Sequence, residues 1–191
     1  LAAGYDVKMS EVHGMSQRGG SVTTQVRFGG KVYSPIIDKG QADILVSFEA
    51  MEALRWLGCL RVGGKIVVND HCIPTATTAL GKQTYPSGVV QTLADKVGAK
   101  VVDATRIATQ LGNPRAMNIV LFGALVKAMD LLTIDWPGEL AKHDKPALLE
   151  INRQVVPPRY RLWYRCRLSL RLPLLLRHLH NSRKDPNDYD R

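Results

Sequence analysis

The stretch ADILVSFEAMEALRWLGCLRVGGKIVVND, residues 42–70, decides the fold. Its opening run, ADILVSF, is almost continuously apolar, as in a strand covered on both faces. From Glu49 the period lengthens: Met51, Leu54 and Leu57, with Ala50 and Ala53 beside them, lay an apolar stripe along a helix. Residues 61–64, with the pair Gly63-Gly64, are expected to end that helix. IVVN, residues 66–69, then reads as a second buried strand. A strand, a helix, a glycine turn and a strand make a βαβ unit, which requires parallel strands and a right-handed crossover.

The same alternation continues toward the C-terminus. Val89, Val90, Leu93, Ala94 and Val97 recur at helical spacing up to Gly98, and residues 100–102 return as a short strand. Asp103 or Thr105 can cap a helix over 106–111. Gly112-Asn113-Pro114 breaks it, and Pro114 suits the first turn of a long helix through Met129. A further helix is expected around 147–152. On the N-terminal side residues 5–9 read as a strand, and residues 21–27 and 31–36, joined through Gly29-Gly30, read as a hairpin. The expected class is α/β: three layers, a mostly parallel sheet with helices on both faces, and a β-hairpin extension.

The 191 residues, 45% of them hydrophobic, suffice for one domain with a sizeable core and exclude a disordered chain. The longest nearly apolar run, residues 116–126, contains Asn118 and is too short for the roughly 20 residues of a membrane span. The formal charge of +9 is unevenly spread. Residues 157–191 hold eight Arg and one Lys against three Asp, a net of +6, which leaves +3 for residues 1–156. The body therefore has no electrostatic footprint for nucleic acid. Residues 157–191 read as a separate basic, Arg- and Leu-rich tail: an arm for anions or a membrane surface, or an atypical terminus. Cys59, Cys72 and Cys166 are few, scattered and free of any Cys-x-x-Cys pair, so they read as buried thiols of an intracellular chain and encode no zinc or iron–sulfur site.

The densest polar cluster is SEVHGMSQRGGSV, residues 10–22. It gathers a carboxylate, an imidazole, an amide and a guanidinium with three glycines after a predicted strand. Such a loop can point backbone N–H groups at an anion while Arg18 offers a bidentate fork. It can equally be a turn whose glycines serve backbone geometry alone. Asn69-Asp70-His71, at a strand end, is a second polar patch, readable as an acid/base pair or a plain loop. Gly14-Met15-Ser16-Gln17-Arg18 is no nucleophile elbow, and neither a phosphate-binding nor a dinucleotide-binding glycine loop is found.

Glu11-Val12-His13-Gly14-Met15-Ser16-Gln17-Arg18-Gly19-Gly20-Ser21-Val22, Ala42-Asp43-Ile44-Leu45, Phe48-Glu49-Ala50-Met51-Glu52-Ala53-Leu54-Arg55 and Leu111-Gly112-Asn113-Pro114-Arg115-Ala116-Met117-Asn118 carry a family resemblance. In this order they resemble the gamma-type domain of the 2-oxoacid:ferredoxin oxidoreductases, the family of the indolepyruvate ferredoxin oxidoreductase β subunit. The resemblance covers residues 1–156. It implies an oxidoreductase subunit that supports CoA-dependent oxidative decarboxylation of aryl 2-oxoacids with reduction of ferredoxin. It further implies that this chain alone binds no cofactor, with thiamine diphosphate, its Mg and the 4Fe-4S clusters on a partner α subunit. A cytoplasmic location follows from the same family. Members open on a strand and a Gly-Gly-Gln-Gly loop, so the start at Leu1-Ala2-Ala3-Gly4 implies a missing first βα unit. The candidate active-site or interface loop is Glu11, His13, Gly14, Gln17, Arg18, Gly19 and Gly20; Asn69, Asp70, Asn113 and Asn118 are weaker candidates, and no metal ligand is assigned. The rival readings are a non-catalytic assembly subunit and a polyanion-binding module acting through the tail.

Overall fold

The computed structural model describes residues 1–13, 21–74, 78, 80–81 and 84–143. Three parallel strands, β3 (Ala42–Ser47), β4 (Leu60–Asn69) and β5 (Lys100–Val102), form a sheet in the order β3-β4-β5. The residues of β4 alternate between two cores. Val67 packs with Val102, Val120 and Leu121 on one side, under α3 (Ala104–Gln110) and α4 (Met117–Met129). Ile66 and Val68 pack with Ala50, Ala53 and Leu93 on the other, under α1 (Ala50–Trp56) and α2 (Val89–Val97). A parallel strand in mid-sheet needs both faces covered, which is why its consecutive buried residues Ile66, Val67 and Val68 are all apolar. The three-layer α/β architecture and the hairpin are thus present. A last short helix, α5 (Trp136–Ala141), is capped by Asp135 with Pro137 in its first turn. Its Trp136 ring meets Phe122 of α4 edge-on, with centroids 5.2 Å apart.

Three expectations need correction. The hairpin is not built from residues 21–27 and 31–36. Its strands are β1 (Asp6–His13) and β2 (Val22–Gly29), paired antiparallel from Asp6↔Gly29 to His13↔Val22. A second ladder through 31–36 would contain Pro35, which has no N–H to give. That segment is instead held by side chains of the hairpin: Val32 N–H donates to Asp6 Oδ2 at 2.9 Å, Ile37 N–H to Gln25 Oε1 at 2.7 Å, and Arg27 Nη1 to the Ile36 carbonyl at 2.9 Å.

The second correction concerns α1, which ends at Trp56 rather than near residues 61–64 and passes through a 3-10 turn, Leu57–Cys59. Residues 61–64 lie inside β4, where the register with β3 jumps between Ala42↔Leu60 and Ile44↔Lys65. Gly63, at φ 74°, absorbs the jump in a conformation side chains resist. The third is the buried face of α1. Ala50 and Ala53 are fully buried, while Leu54, expected in the stripe, is exposed. Ala50 and Ala53 make the fully buried contact, with Met51 and Leu57 packing partly buried beside them.

The boundaries expected at Gly98, Asp103 and Pro114 hold. Gly98 closes α2 in the left-handed conformation, and Asp103, not Thr105, caps α3 by accepting from Arg106 N–H at 3.0 Å. Pro114 starts a 3-10 turn, Pro114–Ala116, that leads into α4. The helix expected at 147–152 and the tail, residues 157–191, lie outside the described residues.

Candidate functional site

The carboxyl ends of β3, β4 and β5 define one edge of the sheet, where open α/β folds place their ligands. Asn69, at the end of β4, is completely buried there. Its Nδ2 donates to the Phe48 carbonyl at 3.2 Å and to Thr105 Oγ1 at 3.3 Å, and its Oδ1 accepts from Ala104 N–H at 3.0 Å. One amide therefore ties the exits of two strands to the start of α3. The structure makes this sequence candidate a brace, with its polar atoms turned inward. Asp70 follows with an exposed side chain and an amide that donates to the Val102 carbonyl at 2.9 Å.

Glu49 is the second node, buried immediately after β3. Its Oε2 accepts from Glu52 N–H at 2.9 Å and so caps α1, where a carboxylate also meets the positive end of the helix. Its Oε1 accepts from Ile73 N–H at 3.4 Å and from the Tyr85 hydroxyl. Burial, with the neighbouring Glu49 carboxylate and Cys72 thiol, pushes the Tyr85 phenol well above the usual tyrosine range, so it remains a donor. Sequence reasoning passed over Glu49 and Tyr85. In the sequence Glu49 marks the start of a helix and belongs to the stretch that carries the family resemblance, and nothing there places Tyr85, 36 residues away, against it.

The polar cluster of residues 10–22 is described at its two stems. Glu11 and His13 project from the same face of β1, with His13 Nε2 3.4 Å from Glu11 Oε1. At the other stem Ser21 Oγ donates to Glu52 Oε2 at 2.9 Å, and Glu52 also holds Arg55. Glu52 lies in the first turn of α1, so this bond sets the outer end of the hairpin beside the carboxyl edge of the sheet. Gly14, Gln17, Arg18, Gly19 and Gly20 lie outside the described residues.

The other candidates do not join this group by any bond described. Asn113 Oδ1 accepts from Arg115 N–H at 3.1 Å and caps the turn before α4, and Asn118 is exposed in that helix. Cys59 is half-buried and Cys72 exposed, which corrects the expectation of buried thiols; Cys72 sits where the chain has already left the sheet after Asn69. Cys166 lies outside the described residues. Among the described residues no group of three His, Cys, Asp or Glu stands where it could hold a metal ion, and no helix is long and apolar enough to cross a membrane.

Comparison with known proteins adds identity to this geometry. The family model for pyruvate ferredoxin/flavodoxin oxidoreductase matches residues 1–156. The chain is 40% identical over 163 residues to indolepyruvate oxidoreductase subunit IorB of Pyrococcus horikoshii, covering 83% of this chain and 76% of the relative. It is 38% identical over the same length, with the same coverage, to the protein of that name in Thermococcus kodakarensis. Among solved structures the gamma subunit of a keto/oxoacid ferredoxin oxidoreductase from Geobacter sulfurreducens superposes with a TM-score of 0.51 at 16% identity, over 82% of this chain and 77% of the other.

Proposed function

We propose, from the premise that the chain belongs to the pyruvate ferredoxin/flavodoxin oxidoreductase family, that it is the small subunit of an indolepyruvate:ferredoxin oxidoreductase. In this reading the complex oxidatively decarboxylates an aryl 2-oxoacid with coenzyme A, releases CO2 and reduces ferredoxin. Residues 1–156 form the domain that enters the complex, and residues 157–191 are a basic extension outside that role. Thiamine diphosphate, its Mg and the iron–sulfur clusters are carried by the partner α subunit, and the setting is the cytoplasm.

When bound on the partner, thiamine diphosphate supplies the electron sink that decarboxylation requires. The residues of this chain contribute position and charge. Arg18, with the N–H groups of Gly19 and Gly20, orients an anionic group of the substrate or of coenzyme A. Gln17 adds an amide, and the Glu11–His13 pair lines the approach along β1. The single observation that supports this reading is the anchoring of the stretch: Ser21 is bonded to Glu52 in the helix that leaves the carboxyl edge of the sheet. A recognition loop requires such a rigid base.

Replacement Arg18→Ala in the reconstituted complex tests the reading. It should raise KM for the 2-oxoacid or coenzyme A, or lower kcat, with assembly intact; unchanged kinetics with unchanged assembly would refute it. Gly20→Val should instead abolish function through the backbone, whichever anion is bound.

A further inference from the structure

The hairpin carries its polarity the wrong way round for a free-standing chain. Directly paired residues of an antiparallel ladder share a face, and neighbours along a strand alternate. One face of the ribbon is therefore Asp6, Lys8, Ser10 and Val12 with Gln25 and Arg27, and the other is Val7, Met9, Val22, Val26 and Phe28 with Glu11 and His13 toward the outer end. The polar face is the one turned to the rest of the chain: Asp6, Gln25 and Arg27 hold the segment 32–37, and Ser10 and Gln25 are half-buried. The apolar face looks outward, with Met9 63%, Val22 55%, Val26 47% and Phe28 45% exposed. Tyr5 extends it, its ring edge-on to Phe28 at 5.5 Å. A register one residue different would set Met9 opposite Gln25 or Arg27 and mix the two sets, so the outward apolar row is a specified feature.

We infer that this face is covered by the cofactor-bearing partner subunit, an inference that rests on the functional reading above. Two observations choose this occupant. First, the apolar row runs straight into Glu11 and His13 on the same face, the described members of the stretch assigned to the partner's active site. Val7 and His13 are six residues apart, about 20 Å along a strand, so a subunit that reaches His13 also lies over the ribbon. Second, Met9, Val22, Val26 and Phe28 lie exposed on one face of the ribbon, and apolar side chains gathered on one exposed face mark an interaction site. The surface fits a subunit with a mainly apolar patch of ribbon length that meets polar groups only at the His13 end.

The test uses the full chain and the catalytic subunit of the indolepyruvate oxidoreductase from the same source, with the dissociation constant measured by calorimetry. The double variant Met9→Asp with Val26→Asp should bind at least ten-fold more weakly. Its far-UV spectrum and melting temperature should stay near those of the wild type, and activity per assembled complex should be retained. Lys8→Gln, on the opposite face, should bind normally. Should the double variant melt early, Met9→Gln at the most exposed position gives the same comparison in a folded chain. Wild-type affinity of the folded face variants for the catalytic subunit would overturn the inference. So would a wild-type chain that forms a dimer dissolved by these changes while its affinity for the catalytic subunit is untouched, because the occupant would then be a second copy. A wild-type chain that never binds the catalytic subunit would instead refute the functional reading, and this inference with it.

Discussion

Tyr85 donates its hydroxyl proton to the carboxylate of Glu49, so both ends of the long excursion from β4 to α2 converge on one buried acid, Ile73 from one side and Tyr85 from the other. The same carboxylate caps α1. One charge thereby joins the exit of β3, the start of the next helix and the crossover that follows β4.

Removing the phenol should be felt at high pH as well as in stability. Tyr85→Phe leaves Glu49 one donor short and should cost about 1–2 kcal/mol, read as a lower urea midpoint at pH 7. The folded phenol titrates above its unfolded value, so its contribution is complete below about pH 10 and is lost as pH rises through the folded pKa. The wild type should lose stability more steeply above pH 10 than the variant. Absorbance titration near 295 nm should show one late tyrosine in the wild type that disappears in the variant.

Asn69→Ala should be among the most damaging single changes at the carboxyl edge. It removes three hydrogen bonds from a completely buried position and leaves the Phe48 carbonyl and the Ala104 N–H unpaired. A loss of about 2–4 kcal/mol is expected. Chemical denaturation checks it, and a loss under 1 kcal/mol would show that the brace is dispensable.

Asp6 predicts an acid-sensitive hairpin. The Val32 N–H holds its carboxyl below the usual aspartate range, with Lys8 adding to the effect. A depressed group stabilises the fold above its unfolded pKa, near 4, and that contribution is lost as pH falls through the lower folded value. The tie between the hairpin and the 32–37 segment should therefore loosen as pH falls below about 4, followed by hydrogen exchange at Val32. Asp6→Asn should show faster exchange at neutral pH and no such step.

The tail permits a separate check. With +6 of the +9 charge in residues 157–191, deletion after Val156 should sharply lower the salt needed to elute the chain from heparin. Assembly and turnover of the complex should not change. A loss of turnover with intact assembly would show that the extension takes part in the reaction.

The βαβ frame was legible because its signals are local and redundant. ADILVSF and IVVN both lie on strands, although β3 ends at Ser47, is half-buried at Ile44 to Val46 and leaves Phe48 exposed; Gly98, Asp103 and Pro114 mark the boundaries expected of them. What escaped was decided by distant partners. Nothing near residues 21–27 says whether the ladder forms with the preceding or the following segment. Eight pairs with β1 outweigh the shorter alternative interrupted by Pro35. Leu54 fits the helical period, yet the face of α1 that meets the core is Ala50 and Ala53 with Met51 and Leu57 beside them, and Leu54 is left exposed. The candidate loop was legible as a motif, and its anchoring through Ser21 to Glu52 was not, because that bond spans 31 residues.

The outward-facing ribbon also sets a condition on how the chain can be made. A two-stranded ribbon with a bare apolar side is an invitation to edge pairing and clustering whenever copies outnumber their cover. Surplus protein would be drawn into aggregates or removed by proteolysis rather than stored. Yield on expression alone should therefore rise when Met9, Val22, Val26 and Phe28 are made polar.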